Sequence, residues 1–404
     1  MSDEDAGDFD ALSMETLLTH LGRDPHEQFG FVNTPVYRGS TVLFKTLADL
    51  EAQDQRFLYG RAGNPTTEGV EAIVTALEGA HATKLVPSGL AAITIALLSC
   101  VRAGDEVLIS DSAYDPGRVF ANGFLARMGV STRYFDPRIG AGIAGMIGPK
   151  TKAVLAESPG SVTFEVHDLP AMAAATKATG ICLIVDNSWA SPLFHQPLKL
   201  GADIVVHAGT KMFVGHSDAF AGTISATQTR WAEVEKTRKS LGFFTSADEA
   251  FLVARGLRTL SIRMKEHERR ALDIAAWLEG QPEVDVVLHP ALPSHPDHAI
   301  FKRDFTGSGS LFGVLLKAAP REAVAAFVDG LKLFTMGYSW GGYESLCLPT
   351  NPARMRTAVP WTASGNLLRL HIGLEGVDDL KADLSAALQR YQVARSRGSS
   401  SIAH

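Results

Sequence analysis

Cysteine is scarce: Cys100, Cys182 and Cys347 are the whole complement of a 404-residue chain. An odd number at wide spacing excludes a disulfide frame or a cysteine-rich zinc site, and the three are expected to be small buried hydrophobes. Basic charge is not in surplus either, since 38 Lys and Arg face 44 Asp and Glu for a formal charge of −6. That balance argues against nucleic acid or an anionic membrane as partner. Long apolar runs are missing too: the longest, Leu90 to Val101, has 12 residues, whereas a bilayer span needs about 20. Asp3, Glu4, Asp5, Asp8 and Asp10 occupy the region where a secretory leader is basic and then apolar, so the expected location is the cytoplasm. No repeat of solenoid period is visible.

What remains is an ordinary globular composition, 46% hydrophobic and 20% charged, in a chain long enough for two packed units. From residue 66 onward, helical spacing alternates with short β-branched runs, the pattern of a parallel sheet covered by helices. Strands are expected at Glu106–Ser110, Val130–Phe135, Lys152–Glu157, Ile181–Asp186, Asp203–His207 and Gly222–Ala226, several of them uninterrupted apolar runs as a sheet buried on both faces requires. Helices are expected at Glu68–Glu78, Ser88–Val101 and Leu169–Ala178, the last stopped by Gly180. One long amphipathic helical block, Ser246–Leu278, leads into a smaller α/β unit with elements at Ser310–Leu316, Arg321–Val328 and Leu367–Ile372. The expected division is an N-terminal arm (1–62), an α/β domain (63–257) and a C-terminal α/β domain (258–404) whose Ser-rich end from Arg395 is frayed.

Two patterns are set aside. Gly140, Gly142 and Gly145 match a dinucleotide-binding G-x-G-x-x-G, which taken alone implies a dehydrogenase, but Gly148 and Pro149 close the segment before a crossover helix can form. His289, His295 and His298 lie among Pro290, Pro293 and Pro296 and are expected to be exposed loop residues, since their spacing resembles no metal-ligand set.

The chemistry concentrates elsewhere. The run Ile181-Cys-Leu-Ile-Val-Asp186-Asn187 and the run Val206-His-Ala-Gly-Thr210-Lys211 each end an apolar strand in polar residues. Ligands of open parallel sheets bind beyond the carboxyl ends of strands, so Asp186 and Lys211 are expected to face one cleft.

These runs, together with Tyr59-Gly-Arg61, Pro87-Ser88-Gly89, Glu157-Ser-Pro-Gly160, Tyr338-Ser-Trp-Gly-Gly-Tyr-Glu-Ser345 and Arg369-Leu-His-Ile-Gly373, resemble the pyridoxal-phosphate enzymes of cysteine and methionine metabolism, the transsulfuration family. The resemblance extends from about Tyr59 to Leu380. It implies the PLP-dependent transferase fold type I, a mostly parallel central sheet sandwiched by helices, and pyridoxal 5'-phosphate as cofactor. It also implies that Lys211 holds the cofactor as a Schiff base and moves the substrate α-proton. A free lysine, with pKa ~10.4, is neutral in about one molecule in a few thousand at pH 7, so burial or nearby positive charge must favour the amine. Asp186 would keep the pyridine nitrogen protonated. Ser88, Gly89 and Leu90, at a helix start, and the hydroxyl of Thr210 would bind the phosphate; Ala208 stands where many relatives have a serine. Tyr59 and Arg61 would reach the phosphate of a neighbouring subunit, making a dimer the minimal unit and pairs of dimers a tetramer. Tyr114 would stack on the ring and assist proton transfer, Arg369 would bind the substrate carboxylate with its planar fork, and Tyr338, Ser339 and Trp340 would line the substrate side. The implied reaction is α,β-elimination of L-cystathionine to homocysteine, pyruvate and ammonia, with γ-acting chemistry of the same family as the alternative. Tyr114-Asp115-Pro116 and Trp340 resemble the β-acting members in place of residues common in γ-acting ones, a likeness that implies the β reaction. A dehydrogenase and a catalytically silent binding homologue are the readings outside this chemistry.

Overall fold

The computed structural model describes residues 12–400; the acidic residues Asp3 to Asp10 and the end of the Ser-rich tail, 401–404, lie outside the described residues. Seven strands form the first sheet: β1 (Ala82–Val86), β2 (Glu106–Ser110), β3 (Ser131–Phe135), β4 (Thr151–Glu157), β5 (Cys182–Asp186), β6 (Ile204–His207) and β7 (Gly222–Ala226). Their order is β1-β7-β6-β5-β4-β2-β3. The run from β3 through β2, β4 and β5 to β6 is parallel, and β7 lies antiparallel to both β6 and β1.

Both faces are covered, which explains why β5 and β6 read as continuous apolar runs. Ile184, Val206 and Ile224 pack with Ile93 and Leu97 of the helix Gly89–Cys100. Their alternates Leu183, Val185 and Val205 pack with Leu169 and Met172 of the helix Leu169–Thr179 on the other side. The six strands expected from the sequence all form, within a residue of the expected bounds. β1 escaped notice because Lys84 interrupts it; its amine is paired with Glu71 at 2.7 Å, which lets a charge sit in the strand.

The second sheet, β10-β11-β9-β8, is antiparallel throughout and comprises β8 (Val284–Leu288), β9 (Leu311–Leu316), β10 (Leu346–Thr350) and β11 (Asn366–His371). Phe312 and Leu370 pack beneath the helices Leu260–Glu279 and Val377–Ser400 through Ile274, Leu278 and Leu384. The two sheets are tied together by Asp111, just beyond β2. Its buried carboxylate accepts from the Arg118 guanidinium (3.0 Å) and from the backbone N–H groups of Thr357 (2.9 Å), Ala358 (2.9 Å) and Val359 (2.8 Å) in the segment that leads to β11.

Four expectations need correction. The block Ser246–Leu278 is two helices, Ala247–Arg258 and Leu260–Glu279, because the Gly256 carbonyl is taken by Thr259 N–H (3.2 Å) and the Arg263 guanidinium (2.7 Å). Arg395 to Ser400 continue the last helix instead of fraying. His289 and His295 are buried and His298 half-buried, because the Pro-rich segment folds inward: the His289 ring lies 6.2 Å from that of Trp189 and 5.4 Å from that of Phe312. Cys182 and Cys347 are buried, but Cys100 is half-buried at a helix end. The Gly140–Met146 segment is a short 3-10 turn that leads straight to β4, with no crossover helix for a dinucleotide. No group of three His, Cys, Asp or Glu among the described residues could hold a metal, and no helix is long and apolar enough to cross a membrane.

Candidate active site

The carboxyl ends of β4, β5 and β6 put Glu157, Asp186 and Val206 side by side in register. Asp186 is buried, and its Oδ1 accepts from Ser188 N–H (2.9 Å) and Ser188 Oγ–H (2.6 Å). Burial raises its pKa, while Ser188, His207 and Lys211 pull it back.

Lys211 lies four residues beyond the end of β6. Burial, then the positive charge of Arg369, pushes its pKa down to about 8, against the opposing pull of Asp186. A lysine so placed carries a usable fraction of free amine near neutrality, the condition that the sequence reading required. Its Nζ donates to Ser339 Oγ at 2.5 Å and stands 5.5 Å from the Trp340 ring centre.

Arg369 comes from β11 in the second sheet, and its Nη2 donates to the Ser339 carbonyl at 3.2 Å. Lys211 and Arg369 therefore meet on the same turn from opposite units. Tyr114 precedes the short helix Asp115–Phe120, and burial and the charges of Glu157 and Asp186 raise its phenol, with Arg369 acting the other way. Tyr338 is 91% exposed and stands at the rim.

The helix Gly89–Cys100 points its N-terminus at the same place. Ser88 is its N-cap, with Oγ accepting from Ala91 N–H (3.1 Å), while the amides of Gly89 and Leu90 lie in the first turn, where no intrahelical carbonyl can reach them. The approach is backbone to backbone. A Cβ on Gly89 would stand 2.6 Å from the Ala208 Cβ, and one on Gly222 would stand 2.1 Å from the Ser88 carbonyl oxygen. Thr210 Oγ accepts from Ala221 N–H (3.0 Å) and donates to the Ala221 carbonyl (3.1 Å), so its proton is committed to the backbone.

Tyr59 and Arg61 pair with each other. Arg61 stacks 5.8 Å from the Tyr59 ring centre and donates to the Lys239 carbonyl at 3.4 Å, and no hydrogen bond or ion pair among the described residues joins this pair to Lys211 or Asp186.

Sequence reasoning assigned no role to Glu157 or Ser188. Glu157 Oε2 accepts the Tyr114 backbone N–H at 2.6 Å, fixing where that tyrosine leaves the sheet, and burial beside Asp186 raises its pKa well above the ordinary carboxyl range. Its place in the Glu157-Ser-Pro-Gly160 block at a strand end was the available signal. Ser188 also accepts the Ala208 N–H (2.6 Å), joining the β5 and β6 ends; nothing in the sequence marked it beyond its nearness to Asp186.

These groups suit pyridoxal phosphate: orphan amides and a dipole for a dianion, a carboxylate for a protonated pyridine nitrogen, and a partly neutral amine for an aldehyde. A helix-covered, mostly parallel sheet that directs such groups to the carboxyl ends of its strands is the fold type I architecture of PLP-dependent enzymes. The chain belongs to the family described as Cys/Met metabolism PLP-dependent enzyme, whose model matches residues 15–389. It is 41% identical over 388 residues to the cystathionine beta-lyase of Salmonella typhimurium, covering 93% of this chain and 98% of the relative. The cystathionine beta-lyase MetC of Escherichia coli is 40% identical over the same shares. The solved cystathionine gamma-lyase of Lactobacillus plantarum, complexed with L-serine, superposes with a TM-score of 0.86 at 30% identity, covering 94% of this chain and 100% of that one.

The close approach at Gly89 gives a first prediction. Gly89→Ala is expected to push the helix N-terminus off Ala208 and weaken pyridoxal-phosphate binding by about tenfold or more, since overpacking costs ~1–3 kcal/mol. Equilibrium dialysis of the cofactor measures this; unchanged affinity would show that the cradle lies elsewhere.

Proposed function

We propose that the protein cleaves the Cβ–S bond of L-cystathionine by α,β-elimination, releasing homocysteine and an enamine that hydrolyses to pyruvate and ammonia. The observation that carries this reading is Lys211, with pKa about 8, between Asp186 and Arg369 in one cleft. Its particular reaction is supported by identities of 41% and 40% to relatives named beta-lyase against 34% to the cystathionine gamma-lyase of Bacillus subtilis, and by the likeness of Tyr114-Asp115-Pro116 and Trp340 to β-acting members of the family.

When bound, pyridoxal phosphate supplies the electron sink that acidifies the substrate α-carbon. The chain supplies the rest. The planar fork of Arg369 takes the α-carboxylate in a bidentate pair. Lys211, freed as a neutral amine, removes the α-proton and is the group in reach to return a proton to the departing sulfur. Asp186 would hold the ring nitrogen, and Ser88, Gly89 and Leu90 would hold the phosphate; Thr210 would join them only by giving up its bond to Ala221. Tyr114 would cover the ring, its raised phenol staying protonated, while Tyr338, Ser339 and Trp340 would wall the substrate. Product analysis with L-cystathionine tests the reading: pyruvate with homocysteine supports it, and 2-oxobutyrate with cysteine assigns the γ reaction instead.

Arg369→Lys keeps the charge but loses the fork. KM is expected to rise about 10- to 100-fold with a smaller change in kcat, as loss of a bidentate carboxylate contact requires. Steady-state kinetics decide it, and an unchanged KM removes Arg369 from the substrate site.

The same proposal includes the division into an arm (1–62), a cofactor unit (63–257) and a second unit (258–404), and a homotetramer of active dimers in the cytoplasm. The arm leaves Phe29, Phe31, Leu43 and Leu47 exposed, apolar surface that a neighbouring subunit would cover. Tyr59 and Arg61, with no hydrogen bond or ion pair to their own Lys211 among the described residues, would complete the phosphate site across that interface. Arg61→Ala and Lys211→Ala proteins, each inactive alone, are expected to recover activity when refolded together, because one site in the mixed dimer is intact; no recovery would place both residues in a single subunit's site.

A further inference from the structure

We propose that His371 is a positioning residue for this reaction, setting where the Lys211 amine stands by holding the turn Ser339 to Gly342. The inference rests on the reading of Lys211 above.

Arg369 and His371 are two apart on β11 and so emerge on one face of the second sheet. Both reach the same turn. Arg369 donates to the Ser339 carbonyl (3.2 Å), and His371 Nε2 lies 3.2 Å from Gly341 N and 3.0 Å from the Gly342 carbonyl. On its other side, His371 Nδ1 is 2.8 Å from Ser310 Oγ.

The turn is both strained and tightly seated. Ser339 has φ +81 and Gly341 φ +92, so a serine occupies the left-handed region that side chains avoid. A Cβ on Gly341 would stand 2.9 Å from the Lys211 backbone carbon and 3.0 Å from its Cα. The turn's backbone thus lies directly on the lysine's backbone while the Ser339 hydroxyl meets the lysine's amine.

Complete burial pushes the His371 pKa down to about 3, so the ring is neutral with a single N–H. In one tautomer Nδ1 donates to Ser310 and Nε2 accepts Gly341 N–H; in the other Nε2 donates to Gly342 and Nδ1 accepts from Ser310. Either way one bond runs from strand to turn. The far end of the turn is anchored separately, by Glu375 accepting from Ser345 N–H (2.8 Å) and Oγ–H (2.8 Å). Removing the imidazole should therefore relax Ser339 without detaching the segment.

The test compares His371→Leu, His371→Gln and Ser310→Ala holoenzymes with the unaltered protein. His371→Leu is expected to lower kcat per bound cofactor about 10- to 100-fold with KM nearly unchanged, the penalty of misplacing a reacting group by about 1 Å. The same variant's apoprotein should take up pyridoxal phosphate at Lys211 more slowly. His371→Gln, which keeps a donor and an acceptor near Nε2, should recover most of the loss, and Ser310→Ala should lose less than His371→Leu. An unchanged kcat in His371→Leu, or a loss that Gln does not relieve, overturns the proposal. Should the leucine variant not fold, Ser310→Ala with full kcat overturns it. Borohydride reduction followed by peptide mass spectrometry separates the two layers: absence of a pyridoxyl group on Lys211 in the unaltered protein defeats the active-site reading, whereas its presence in all variants with unchanged kcat defeats the role of His371 alone.

Discussion

Lys211→Ala is expected to lower kcat by about 10⁴-fold or more, because the substitution removes the cofactor's anchoring amine and the proton carrier together. Cofactor binding should survive, since the Gly89 and Leu90 amides and Asp186 are untouched, and KM should change far less than kcat because Arg369 remains. Small primary amines added to the buffer should restore part of the rate, as they can occupy the space left by the side chain and move the proton. Turnover within tenfold of the unaltered protein would refute the assignment of Lys211, and with it the shared cleft.

The second large effect concerns acid. For six of the buried histidines, His167, His195, His267, His289, His295 and His371, burial pushes the pKa down to about 3 or 4. An unfolded histidine binds its proton near ~6.5. Between that value and 3 or 4 the unfolded chain therefore holds more protons than the folded one, so stability is complete above pH 6.5 and declines as the pH falls. Each such histidine contributes about 1.4 kcal/mol per pH unit once below its unfolded pKa. Glu71, Glu157 and Asp186, whose pKa values are raised by burial, oppose the decline because the folded chain binds their protons first. With six rings against three carboxyls, stability is expected to fall between pH 7 and pH 5, read from urea midpoints at the two pH values. A flat or rising profile over that range would mean that these carboxyls at least match the rings in setting the acid response.

The parallel half of the fold was legible because strands covered on both faces carry an uninterrupted signal: Ile181 to Asp186 has no polar residue until its end. Of the second sheet, β9 and β11 were legible as Ser310–Leu316 and Leu367–Ile372, whereas β8 was hidden by Asp285 within Val284–Leu288 and β10 by Pro349. The histidines were misread for a related reason, since a Pro-rich stretch signals irregular backbone and says nothing of burial. At the site, Lys211, Asp186 and the Gly89 helix start were visible because strand ends and helix starts are local features. The bonds of Glu157 to Tyr114, Ser188 to Ala208 and His371 to Gly341 join segments distant in sequence, and no spacing rule encodes them.

The carboxylate of Asp111 binds the backbone of Thr357, Ala358 and Val359 three residues before Tyr114. Swinging the two units apart would break these three backbone bonds and leave the anion to Arg118, each lost bond to a charged group costing about 1.5–3 kcal/mol. Catalytic cycles in this enzyme are therefore expected to run without hinge opening: amino acids come and go past the Tyr338 rim, and turnover is not gated by a domain motion.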